Sequence, residues 1–159
     1  MSSNLTTSAK SLSGKRSDSR IDVQRGLWIV PPERMKAKRE WRVPLARESL
    51  QLLKSVVRYD TYVFPSPRGK SLSNMALLQL MRRMQVDAVP HGFRSSFTDW
   101  CAETQHFPHE VREMALAHAV GSKVELAYRR GDMVEKRREL AQTWATFATS
   151  KIRQARAVA

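Results

Sequence analysis

Two short branched apolar runs, both before residue 46, hold most of this chain's capacity to form sheet. They are "GLWIV" (26–30) and "WRVPL" (41–45), where Trp41, Val43 and Leu45 alternate with Arg42 and Pro44. The charged stretch "PPERMKAKRE" (31–40) separates them, so they read as a hairpin with a long basic connection. Pro44 lacks an N–H for the ladder and belongs at a sheet edge or near a strand end. The expected fold class is mainly α with a small antiparallel β-hairpin, an α+β arrangement.

The rest of the chain reads as helix. "ARESLQLLKSVV" (46–57) spaces Leu50, Leu53 and Val57 for one helical face. "YVFPSPRGKSLS" (62–73) is a brief strand followed by a Pro/Gly/Ser loop. "NMALLQLMRRM" (74–84) has an apolar face, with Arg82 and Arg83 opposite. A helix begins after Pro90 in "VPHGFRSSFTDWCAE" (89–103), and another at Pro108 in "PHEVREMALAH" (108–118). Ser122 with Glu125 is a capping-box pattern that opens a short helix over 122–129. The long helix 133–153 closes the order, with Leu140, Trp144 and Phe147 as its buried stripe. Residues 1–20, rich in Ser and basic residues, read as a disordered leader, and 151–159 as a basic tail. The folded domain is expected over 21–150.

Charge narrows the function classes. Lys and Arg number 28 against 15 for Asp and Glu, a formal net charge of +13, which points to a polyanionic partner such as double-stranded DNA. No apolar run is long enough to span a bilayer, and the N-terminus lacks a signal-peptide core, so no membrane partner is expected. Cys101 is the single cysteine, which excludes a disulfide framework and fits the cytoplasm. His106 and His109 straddle Pro108 without a metal motif, and neither a metal nor another cofactor is expected.

Five polar residues stand apart from the core pattern. Lys36 lies in the basic connection, His91 and Arg94 sit three apart at a helix start, and His118 and Tyr128 flank the turn before 122. Taken singly, each has an ordinary reading: a solvated lysine, a cap, a surface charge, a core tyrosine. Together they match the needs of phosphodiester cleavage by a protein nucleophile. A phenol can attack phosphorus, a guanidinium can hold the non-bridging oxygens, and His and Lys can move protons.

The sequence resembles the catalytic domain of the tyrosine recombinases, the phage integrase family, and within it the satellite-phage and genomic-island branch. "HGFRSSFTDWCAE" resembles the branch's His-Gly-Phe-Arg helix, and "LAHAVGSKVELAYRRGDMVEKRRELAQTWATF" its ending. "WIVPPERMKAKREWRVPL" resembles its β-hairpin, and "YVFPSPRGKSLS" the linking segment. Order and spacing hold from about Ile21 to Phe147. The resemblance implies that Tyr128 is the nucleophile, forming a 3′-phosphotyrosyl bond and freeing a 5′-hydroxyl. It implies that Arg94 is the second of two phosphate-clamping arginines, that His91 and His118 bond the phosphate, and that Lys36 protonates the leaving oxygen. Lys38 is the neighbouring candidate for that last role. Arg34, Lys38, Arg39, Arg82, Arg83, Arg129 and Arg130 are the expected DNA-contacting cations. The C-terminal segment is expected to meet other integrase protomers.

One part of the family pattern is not found. The first clamping arginine stands in a Thr-Arg-x-Gly-Glu context upstream of the hairpin; that context is absent before Ile21, where Lys10, Lys15 and Arg16 lie in a Ser-rich stretch. The expectation is a truncated domain with impaired recombination, or a non-catalytic DNA- or partner-binding remnant that regulates a full-length integrase. A type IB topoisomerase would share the constellation, but the four ordered blocks favour the integrase.

Overall fold

The structure is a computed structural model that describes residues 20–56, 62–118 and 131–157, with side chains to residue 150. Residues 1–19 of the leader, Val57, the 122–129 helix with its capping box, and Tyr128, Arg129 and Arg130 lie outside the described residues, while Arg20, the last expected leader residue, opens β1. Three short strands form one antiparallel sheet in the order β1 (Arg20–Asp22), β2 (Leu27–Val30), β3 (Trp41–Pro44). Five helices follow: α1 (Arg47–Ser55), α2 (Ala76–Arg83), α3 (Gly92–Thr104), α4 (His109–Ala115) and α5 (Val134–Ala157). This is the expected α+β class. Pro44 closes β3, which is an edge strand, as its missing N–H requires.

Five local readings need correction. Strand β1 was not expected, because "RID" is short and polar; it joins the sheet through pairing with β2, with Ile21 opposite Trp28. The brief strand at 62–64 is a lone bridge residue at Tyr62, followed by bends and turns. Phe147 is not buried: it is 53% exposed, with one face stacked 5.4 Å from the Trp100 ring. In β3 it is Pro44 that is buried, opposite Leu27, while Trp41 and Val43 are only partly covered. Helix α2 buries Met81 alone, and Leu77, Leu80 and Met84 of its apolar face are exposed.

Gly26 turns β1 into β2 with a φ of +62°, a region that costs a glycine nothing. Its carbonyl accepts from Leu45 N at 2.9 Å and from Arg138 Nη1 at 3.2 Å, so sheet and α5 meet on this turn. A Cβ here would stand 3.2 Å from Arg138 Nη1 as well as strain the backbone.

The core sits where α3, α4 and α5 meet. Trp100, Cys101, Val111 and Leu140 are its buried residues, with Phe97, Phe107 and Trp144 packed against them. Trp144 meets Phe97 edge-on at 5.4 Å and Trp100 at 5.0 Å, so three aromatic rings lock α3 to α5. α5 also packs on β3 and α1, which makes it the element that joins the sheet to the helices.

Cys101 is fully buried, and burial pushes its thiol pKa up, against the opposing pull of the Arg112 charge. A raised pKa leaves less thiolate at any given pH, and the thiolate is the reactive form. Alkylation by iodoacetamide at pH 8 should therefore be at least about tenfold slower in the native chain than in denaturant. Equal rates would show that α3 does not hold Cys101 inside.

Candidate functional site

The site begins at the start of α3. His91 precedes the helix, and its carbonyl accepts from Arg94 N at 3.0 Å, closing the first turn. The Gly92 N–H donates to the Val89 carbonyl at 2.9 Å, so the chain enters the helix through a tight turn that contains Pro90. Arg94 is thereby aimed along the end of α3, where the last residues of α4 arrive.

α4 ends in a turn that presents His118. The His118 N–H bonds the Glu113 carbonyl at 3.0 Å, and Ala117 takes a φ of +57° to make that possible. The His118 ring is fixed on both sides. Its Nδ1 lies 2.6 Å from Glu113 Oε2, and its Nε2 touches Arg94 Nη2. Arg94 Nη2 also donates to the Leu116 carbonyl at 3.1 Å. A carboxylate at Nδ1 places the proton there and turns Nε2 toward the guanidinium.

Arg94 and His118 are 24 residues apart, and the fold brings them into contact. A forked guanidinium beside an imidazole nitrogen, partly open to solvent, can receive an oxyanion with two or more charge-assisted hydrogen bonds. His91 is exposed at the same helix start. Lys36 is exposed at the corner of a turn closed by Lys38 N to Met35 O at 3.0 Å, and Lys38 takes a φ of +51°. Among the described residues, no side-chain hydrogen bond or ion pair joins His91, Lys36 or Lys38 to the side chains of Arg94 or His118. Arg34 ends a short 3₁₀ turn over Pro32–Arg34, and Arg39 follows on the same connection, both exposed. Arg82 and Arg83 stand exposed in the last turn of α2, where cations also complement the helix dipole.

The sequence reading missed Glu113, which fixes the His118 ring, and Asp132, which Arg42 grips through Nε and Nη2 at 2.8 and 2.9 Å. Glu113 lies five residues before His118, too far for a helical pair, and only the turn at Ala117 brings them together. Among the described residues no group of three or more His, Cys, Asp or Glu could hold a metal ion. Among them, too, no helix is long and apolar enough to cross a membrane.

Comparison with known proteins gives a consistent picture. The phage integrase family matches residues 15–134. Prophage integrase IntA of Escherichia coli is 32% identical over 132 residues, covering 79% of this chain and 32% of the relative. Prophage integrase IntZ of the same organism is 29% identical over 131 residues, 79% of this chain and 32% of its own length. The integrase of Shigella phage Sf6 is 26% identical over 141 residues, 84% of this chain and 36% of its own. The chain spans about a third of the length of these relatives. No solved structure gives a significant match.

Proposed function

The chain belongs to the phage integrase family, and we propose that it is catalytic machinery of a site-specific recombinase that cuts and rejoins double-stranded DNA. The observation that carries the reading is the Arg94–His118 contact, with Glu113 behind the imidazole. In this reading the phosphate enters between the two side chains. Arg94 holds a non-bridging oxygen, and His118 Nε2 bonds a second one when it carries a proton. The Tyr128 oxygen attacks phosphorus, the bond to the 5′ oxygen breaks, and the Lys36 ammonium gives that oxygen its proton. His91 bonds the phosphate from the start of α3 and takes part in proton transfer. The product is a 3′-phosphotyrosyl bond, which keeps the energy needed to rejoin the strand.

Arg34, Lys38, Arg39, Arg82, Arg83, Arg129 and Arg130 supply phosphate contacts, so affinity should fall steeply with salt. The setting is the bacterial cytoplasm, in association with the nucleoid, and the C-terminal segment meets other integrase protomers. Residues 1–19 do not contain the Thr-Arg-x-Gly-Glu context of a first clamping arginine.

Trapping tests the reading. The chain is incubated with a nicked suicide duplex drawn from the flanks of its own locus, denatured, and resolved on a gel beside Tyr128→Phe. A protein-linked band that needs Tyr128 is the expected result. DNA binding at low salt without any such band would overturn the catalytic reading and leave a non-catalytic DNA-binding role, in which the chain regulates a full-length integrase.

A further inference from the structure

Two guanidinium groups converge on residue 132. Arg42 Nε and Nη2 grip the two Asp132 carboxylate oxygens at 2.8 and 2.9 Å. Arg137 Nε donates to the Asp132 main-chain carbonyl at 2.7 Å, and its Nη2 stands 3.5 Å from Oδ2 without hydrogen-bond geometry. Arg137 is only 1% exposed, and its guanidinium lies 4.4 Å over the Trp41 ring. Two cations, one from β3 and one from α5, therefore hold both the side chain and the main chain of a single residue. Next to it, Met133 takes a φ of +50°, an uncommon conformation for a side chain of that size.

Stability alone is a weak reason for this arrangement. Burial lowers the Arg137 pKa, with the Asp132 charge opposing and the Arg42 charge adding to the shift. Buried ion pairs seldom stabilise more than apolar residues of similar volume would. The strained Met133 adds a further cost. What the clamp does fix is the place and direction in which the chain reaches α5. Tyr128 is four residues upstream of Asp132, and four residues of chain reach at most about 14 Å.

We infer that Asp132, clamped by Arg42 and Arg137, is a positioning residue that fixes where the chain enters α5, four residues after Tyr128. The inference rests on the reading of Tyr128 as nucleophile. Attack needs the phenol oxygen in line with the scissile bond, and a misplacement of 1 Å can cost about a hundredfold in rate. A fixed residue four positions away limits the region the phenol can search.

Two measurements test it, on Asp132→Ala and on the milder Arg42→Gln, with melting temperature as a check on folding. The first is single-turnover formation of the Tyr128-linked product on the suicide duplex at saturating DNA. The expected result is a fall of about 10–100-fold with the DNA Kd within about twofold of the parent. The second is the spectrum of a nitroxide label at Tyr128→Cys in a Cys101→Ser background, expected to become more mobile in both variants. A rate that falls only in step with Kd or with the folded fraction, or a label whose mobility does not change, overturns the inference. If the parent chain forms no Tyr128-linked product, the nucleophile reading fails, and the label alone then decides whether the clamp positions the segment.

Discussion

Arg94→Ala is expected to lower the rate of phosphotyrosyl formation by roughly two to three orders of magnitude, the usual loss when one donor to a developing oxyanion is removed. The physical reason is on both sides of the residue. Arg94 Nη2 meets the His118 ring and the Leu116 carbonyl, so its guanidinium is already held in place. A preorganised charge stabilises the transition state without first having to be ordered. Arg94→Lys should recover little, because an ammonium is a point charge and cannot make the paired contacts of a planar fork. Long time courses with the suicide duplex would measure this, with binding followed separately by a mobility shift. A change of less than about threefold in the alanine variant would mean that Arg94 is not a phosphate clamp.

The largest structural effect is expected at Trp100. Its ring contacts Phe97, Trp144 and Phe147, and the residue is 7% exposed at the junction of α3 and α5. Replacing a buried tryptophan by alanine removes apolar contact and leaves a cavity, typically costing about 3–5 kcal/mol. Small domains have only about 5–15 kcal/mol of stability in total. Trp100→Ala should therefore lower the melting temperature by roughly 10–20 °C. Because α3 begins at Arg94's end and α5 at Asp132's, loosening their junction should also weaken activity in the folded fraction. A shift under about 2 °C would show that the aromatic cluster is not the centre of the fold.

How far the sequence anticipates the structure depends on the range over which each feature is determined. The described helices follow from apolar spacing and from Pro90 and Pro108, which are local signals, and α5 runs four residues past its expected end at 153. The hairpin and the edge position of β3 follow from branched residues and Pro44. β1 escapes because Arg20, Ile21 and Asp22 carry no alternation, and their place in the sheet comes from a partner strand. Phe147 has the right helical period for the core, but period sets a face and not how far the neighbouring helix extends to cover it. The same limit governs the site. Arg94 and His118 stand in recognisable blocks, whereas Arg42 and Asp132 are 90 residues apart, and nothing local joins them. Glu113 looks like any acidic residue of a helix until the turn at Ala117 brings His118 back to it.

The account rests most heavily on one covalent bond. The measurement that reaches it directly is digestion of the trapped protein–DNA complex, with mass spectrometry of the peptide that carries the nucleotide. The prediction is a single modified peptide containing Tyr128, linked to a 3′ phosphate, with a free 5′-hydroxyl on the released strand. Linkage at any other residue, or through a 5′ phosphate, would contradict it.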